Sequence, residues 1–87
     1  MKIVETPGFK KAFKERITSS RQLVSEFREA LKLFIEDPNN PILRDHQLTG
    51  THIDKRAFWV TGDVRVVYRQ TMEGILLYDI GTHSQVY

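Results

Sequence analysis

With 87 residues, 40% of them apolar and 28% charged, the chain has room for one small domain and a balance that excludes disorder. Its apolar runs are far too short to cross a bilayer, and the lack of any cysteine excludes a disulfide framework and a thiolate metal site. A net charge of +2 identifies no partner by itself, so the placement of the charges has to be read instead.

KIVE, near the start, reads as a short strand, and the preceding context MKIVETPGF lacks the apolar core of a signal peptide, so a reducing cytoplasm is the expected location. In TPGFKKAFKERI, Thr6 is the expected N-cap and Pro7 the first helical residue, with Phe9, Phe13 and Ile17 on one face. A second helix is expected from Ser19 or Ser20, where Leu23, Phe27, Ala30, Leu31 and Phe34 form one apolar stripe that ends at EDPNNP. Two amphipathic helices this short are not stable alone, so their stripe must cover another apolar surface.

From Pro41 to Asp54 no period is evident, and the stretch reads as a loop. KRAFWVT, VRVVYR and ILLYDI then read as three strands separated by hairpin breaks at GD and QTMEG. The expected fold is therefore α+β, a single domain over residues 1–87: a short N-terminal strand and a helical hairpin packed on an antiparallel β-meander.

Most enzyme signatures are missing, including a phosphate-binding glycine loop, HExxH and G-x-S-x-G. His46, His52 and His83 are not spaced as ligands on one element, so no metal and no cofactor is expected. His83, two residues past Gly81, should stand where the last strand leaves the sheet, either as an idle exposed histidine or as a site residue. Asp63 and Arg65 share a face by strand alternation, which fits a surface ion pair and a phosphate-binding arginine equally well. Of Phe58 and Trp59, one should face the core and the other outward, where it could stack on a base. Lys10, Lys11, Lys14, Arg16 and Arg21 gather on the first helical stretch, and Lys55, Arg56, Arg65 and Arg69 on the later strands. Solvation alone accounts for many such clusters, yet nucleic acid stays open as a partner.

The ordered set DHQLTG, DVRVVYR and ILLYDIGTHSQVY resembles the YafQ branch of the RelE superfamily of bacterial toxin-antitoxin ribonucleases, over roughly the second half of the chain. The resemblance implies that His46, Asp63, His83 and Tyr87 belong to an RNA-cleaving site. Arg65 matches the arginine of RelE-type toxins, whereas Trp59 stands where YafQ-like toxins carry a further histidine. The implied reaction is metal-independent: the ribose 2′-hydroxyl attacks the adjacent phosphate, leaving a 2′,3′-cyclic phosphate and a 5′-hydroxyl. On this reading His83 is the general acid, His46 the base, Arg65 the phosphate clamp, Asp63 the group orienting an imidazole and Tyr87 a ring near the scissile nucleotide. Lys10, Lys11, Lys14, Lys55, Arg56, Trp59 and Arg69 are the expected RNA contacts. The implied partners are mRNA and ribosomal RNA in the decoding site and a small cognate antitoxin. Two competitors are a ParE-like toxin that binds DNA gyrase without catalysis, and an inactive RNA-binding remnant.

Overall fold

Thr6 joins the first strand to the first helix through both of its hydrogen-bonding roles. In the computed structural model, which describes residues 1–87 in full, its hydroxyl accepts from the Phe9 N–H (3.2 Å) and donates to the Leu77 carbonyl (2.8 Å). Strand β1 (Lys2–Glu5) leads through this cap into α1 (Pro7–Arg16), and Ser20 caps α2 (Arg21–Glu36) by accepting from the Leu23 N–H at 3.1 Å. Both caps fall within the expected positions.

Three long strands follow as a meander, β3 (Arg56–Thr61), β4 (Val64–Gln70) and β5 (Gly74–Thr82), each antiparallel to the next. Strand β1 adds to the outer edge of β5 in parallel, and a two-residue strand β2 (His46–Gln47) to the outer edge of β3, so the five-stranded sheet is mixed and ordered β1-β5-β4-β3-β2. Gly74 makes that edge possible, because a Cβ there would collide with the Lys2 backbone opposite.

The expected loop from Pro41 to Asp54 contains structure that lacks a periodic signature. It forms a 3₁₀ turn at Pro41–Leu43, a short strand β2 (His46–Gln47) that pairs with Ala57 and Arg56, and a second 3₁₀ turn at Gly50–His52. Two-residue strands and single turns are too brief to show a hydrophobic period, which is why the sequence hides them. After β5 the chain turns into a short helix, α3 (His83–Val86).

The helices cover one face of the sheet. Phe9, Phe27 and Phe34 meet Phe58, Val66, Tyr68, Leu77 and Ile80 in one buried cluster, with Phe34 stacked on Phe58 at 4.8 Å between ring centroids. Emptying a position such as Phe58 should cost about 3–5 kcal/mol, a large part of the stability of so small a domain. On the opposite face a smaller cluster of Leu48, Ala57, Val67 and Val86 holds β2 and α3 against the sheet, with Tyr78 packed beside it. No helix is long and apolar enough to cross a membrane.

Candidate catalytic site

The second face also carries the polar side chains that the sequence singles out, and their position follows from register. Trp59, Arg65 and Gly81 are opposite one another on β3, β4 and β5, while His46, Ala57, Val67 and Asp79 form a neighbouring row. Because Ala57 and Val67 belong to the apolar cluster on that face, residues in register with them or two places along the strand share it. His46 and Arg65 thus stand on one surface, on strands separated by two inter-strand spacings, about 10 Å.

At one end of this surface four side chains converge. Arg65 Nη2 donates to Asp63 Oδ1 at 2.8 Å, and its Nη1 donates to His83 Nδ1 at 3.2 Å. The other Asp63 oxygen accepts from the His83 backbone N–H at 3.2 Å. The Tyr87 ring lies edge-on to the His83 imidazole at 4.7 Å, and the Arg65 guanidinium sits 5.6 Å from the Tyr87 ring centre. Asp63 therefore grips Arg65 and the start of α3 together, and His83 is held by its backbone, its ring nitrogen and an aromatic neighbour.

Local sequence explains the placement. Gly62 takes a positive φ of 51° in the turn before β4, and the Trp59 Nε1–H donates to the Gly62 carbonyl at 2.6 Å, so the indole braces the turn that presents Asp63. At the other wall Thr82 and Gln85 form a capping box, Gln85 Oε1 accepting from the Thr82 N–H at 2.8 Å, which starts α3 and turns His83 out of the strand.

The two site histidines are held in opposite tautomers. A guanidinium has only donors, so His83 Nδ1 must accept and the neutral ring carries its proton on Nε2. His46 Nδ1 lies 2.8 Å from the Arg44 carbonyl, which can only accept, so this ring is protonated on Nδ1 and leaves Nε2 free as an acceptor. Arg44 reaches this position with a left-handed φ of 48° and lays its guanidinium 4.9 Å over Trp59. One imidazole presents a donor and the other an acceptor to solvent on the same face.

The sequence model described as a bacterial toxin of a type II toxin-antitoxin system, YafQ, matches residues 1–87. The chain belongs to the YafQ toxin family. Three solved structures share the YafQ fold. YafQ from E. coli strain BL21(DE3) is 19% identical, with 99% of this chain and 97% of that chain covered and a TM-score of 0.83. The E. coli DinJ-YafQ complex matches at 19% identity, the same coverage and a TM-score of 0.80. A metal-bound toxin from Helicobacter pylori is 25% identical, covers 100% of this chain and 99% of that chain, and has a TM-score of 0.77. No curated protein sequence matches the chain.

Within this YafQ domain the remaining expected residues separate. Phe58 is buried and Trp59 faces outward, as alternation requires. Lys55 and Arg69 lie on the site face, both over the Tyr78 ring at 5.0 and 5.9 Å, with Asp54 bridging them. The hydrogen bond from Lys55 holds the Asp54 carboxyl below its ordinary pKa. Lys10, Lys11 and Lys14 are exposed on α1, on the helix side of the sheet. Arg56 is engaged internally, donating to Asp45 at 3.1 Å. His52 lies in the second 3₁₀ turn, apart from the cluster, and no three His, Asp or Glu side chains converge as metal ligands.

Several structural polar residues escape the sequence reading. Asp45 looks like a solvated loop residue, yet it also accepts from the buried Tyr68 hydroxyl at 2.6 Å. Burial, and next Asp45, push the Tyr68 phenol well above its ordinary pKa. Arg16 turns away from its basic neighbours to Asp79. Neither pairing has a local signal, because its partners are far apart in the chain.

Proposed function

We propose that this toxin is a metal-independent endoribonuclease that cleaves mRNA, with the ribosomal decoding site as its place of action, and so arrests translation. The observation that supports this reading best is the pair of oppositely polarised imidazoles, His46 and His83, on the face that carries Arg65. In-line attack by a 2′-hydroxyl needs a proton removed at one end and supplied at the other, with charge neutralised between them.

His46 Nε2, free to accept, takes the proton from the ribose 2′-hydroxyl. The 2′ oxygen bonds to phosphorus and the bond from phosphorus to the 5′ oxygen breaks, leaving a cyclic phosphate. Arg65 Nη1 and Nη2 each keep a further N–H beyond those given to His83 and Asp63, enough for a forked contact to two phosphoryl oxygens. As the phosphate draws Arg65 from His83 Nδ1, that nitrogen takes up a proton from water, and the His83 Nε2–H then protonates the leaving 5′ oxygen. Asp63 ties the Arg65 guanidinium to the His83 backbone N–H, and Tyr87 offers a ring edge and hydroxyl beside the scissile nucleotide. Lys55, Arg69 and Trp59 extend the contact along the same face.

The DinJ-YafQ complex contains a toxin of this fold with an antitoxin, and membership of a type II system supports an equivalent small antitoxin partner for this chain. Its place of action is then the cytoplasm, with the ribosomes. Controlled expression without an antitoxin tests the reading: protein synthesis should collapse while mRNA is cut. Intact mRNA with arrested DNA supercoiling would instead favour gyrase as the target, and unaffected growth would favour an inactive remnant.

A further inference from the structure

Beyond the end of β1 the outer edge of β5 has no strand beside it, because β1 pairs only as far as Leu77. The last residue of α1 takes that place. Arg16 Nη1 donates to the Ile80 carbonyl at 3.0 Å and to Asp79 Oδ1 at 3.1 Å, and the same Asp79 oxygen accepts from the Ile80 N–H at 2.9 Å. The site side of this segment is equally constrained. Gly81 is buried, and a Cβ there would stand 2.6 Å from Gln85 Oε1 and 3.0 Å from Arg16 Nη1. Gln85 is the residue that caps the Thr82 N–H and starts α3. Glycine at position 81 therefore lets the guanidinium and the capping amide approach the same point from either side.

We infer that Arg16 is a positioning residue for His83, acting through Asp79, the Ile80 carbonyl and the side-chain-free Gly81. The inference rests on the ribonuclease reading for its consequence in rate, though not for its geometry. Just upstream, Val67 and Tyr68 face Asp79 and Leu77, so Tyr78 is an extra residue and the ladder is irregular where the strand approaches the site. A bulged strand needs another restraint to fix the angle at which His83 leaves it. The side chains of Arg16 and Asp79 are 28% and 31% exposed, so the pair is sheltered enough to hold one geometry. Arg16 touches neither His83 nor Arg65, which distinguishes positioning from catalysis.

The test compares Arg16→Met, Arg16→Lys and Gly81→Ala with the parent in RNA cleavage, thermal melting and ¹⁵N NMR of the His83 ring. Arg16→Met should lower kcat on the order of 10- to 100-fold with KM little changed, the scale of a displaced catalytic group, and should shift the His83 Nδ1 resonance as its contact with Arg65 loosens. Arg16→Lys, which keeps a cationic donor, should recover most of the rate. Gly81→Ala perturbs the same point from the capping side and should reproduce the His83 shift. An unchanged His83 resonance in folded Arg16→Met and in Gly81→Ala would overturn the inference, as would a loss confined to KM or to melting temperature. If Arg16→Met does not fold, the Gly81→Ala resonance and rate decide. A parent that cuts no RNA would refute the ribonuclease reading, while the NMR comparison would still decide whether Arg16 places His83.

Discussion

Arg65 Nη1 donates to His83 Nδ1 across 3.2 Å, joining β4 to the first residue of α3. The contact couples charge to tautomer: while the guanidinium occupies Nδ1, the imidazole shows solvent only a donor. In the proposed reaction, a phosphate that competes for Arg65 would change what His83 can do, so substrate binding and proton supply would be linked through one side chain.

Replacing Arg65 with Lys keeps the charge and removes the planar fork. Single-turnover cleavage should fall on the order of 10²-fold, as when one oxyanion donor is lost, whereas the thermal melt should change little because a partly exposed ion pair with Asp63 contributes roughly 0–1 kcal/mol. A rate within a few-fold of the parent would return Arg65 to a structural strand residue.

His46 should act only when its Nε2 is unprotonated. His46→Ala should therefore lose about 10²–10⁴ of the cleavage rate while melting like the parent. A His46→Ala rate within a few-fold of the parent would remove His46 from proton transfer.

Tyr68 supplies a stability test independent of function. Its folded phenol has a raised pKa, so the native state gains from keeping it neutral at every pH below the unfolded value of about 10. That gain is lost as pH climbs above 10 through the higher folded value, since the unfolded chain ionises first. Tyr68→Phe should be less stable near neutrality by about 1–3 kcal/mol, because Asp45 loses a sheltered donor, and should decline less steeply than the parent in alkaline melts. Parallel alkaline declines for the two proteins would contradict this role for the phenol.

The helical hairpin and the meander were legible because caps, apolar periods and turn residues act locally: Thr6, Pro7 and Ser20 mark helix starts, and Gly62 and Asp63 mark a hairpin. The parallel docking of β1 and the short β2 were not, since each depends on partners distant in the chain. At the candidate site, alternation placed Asp63 beside Arg65 and the end of the strand placed His83 at the surface. The histidine tautomers could not be read, because they depend on a carbonyl at Arg44 and on a guanidinium from another strand. Arg16 was misleading for a related reason: its sequence neighbours are exposed lysines, while its partner Asp79 lies on β5, far along the chain.

The most direct measurement is the chemistry of the cut ends. Purified toxin on an mRNA-programmed ribosome, under single-turnover conditions, should leave a 2′,3′-cyclic phosphate upstream and a 5′-hydroxyl downstream, and His83→Ala should abolish the cut while melting like the parent. Cleavage that leaves a 5′-phosphate, or full activity in folded His83→Ala, would contradict the account.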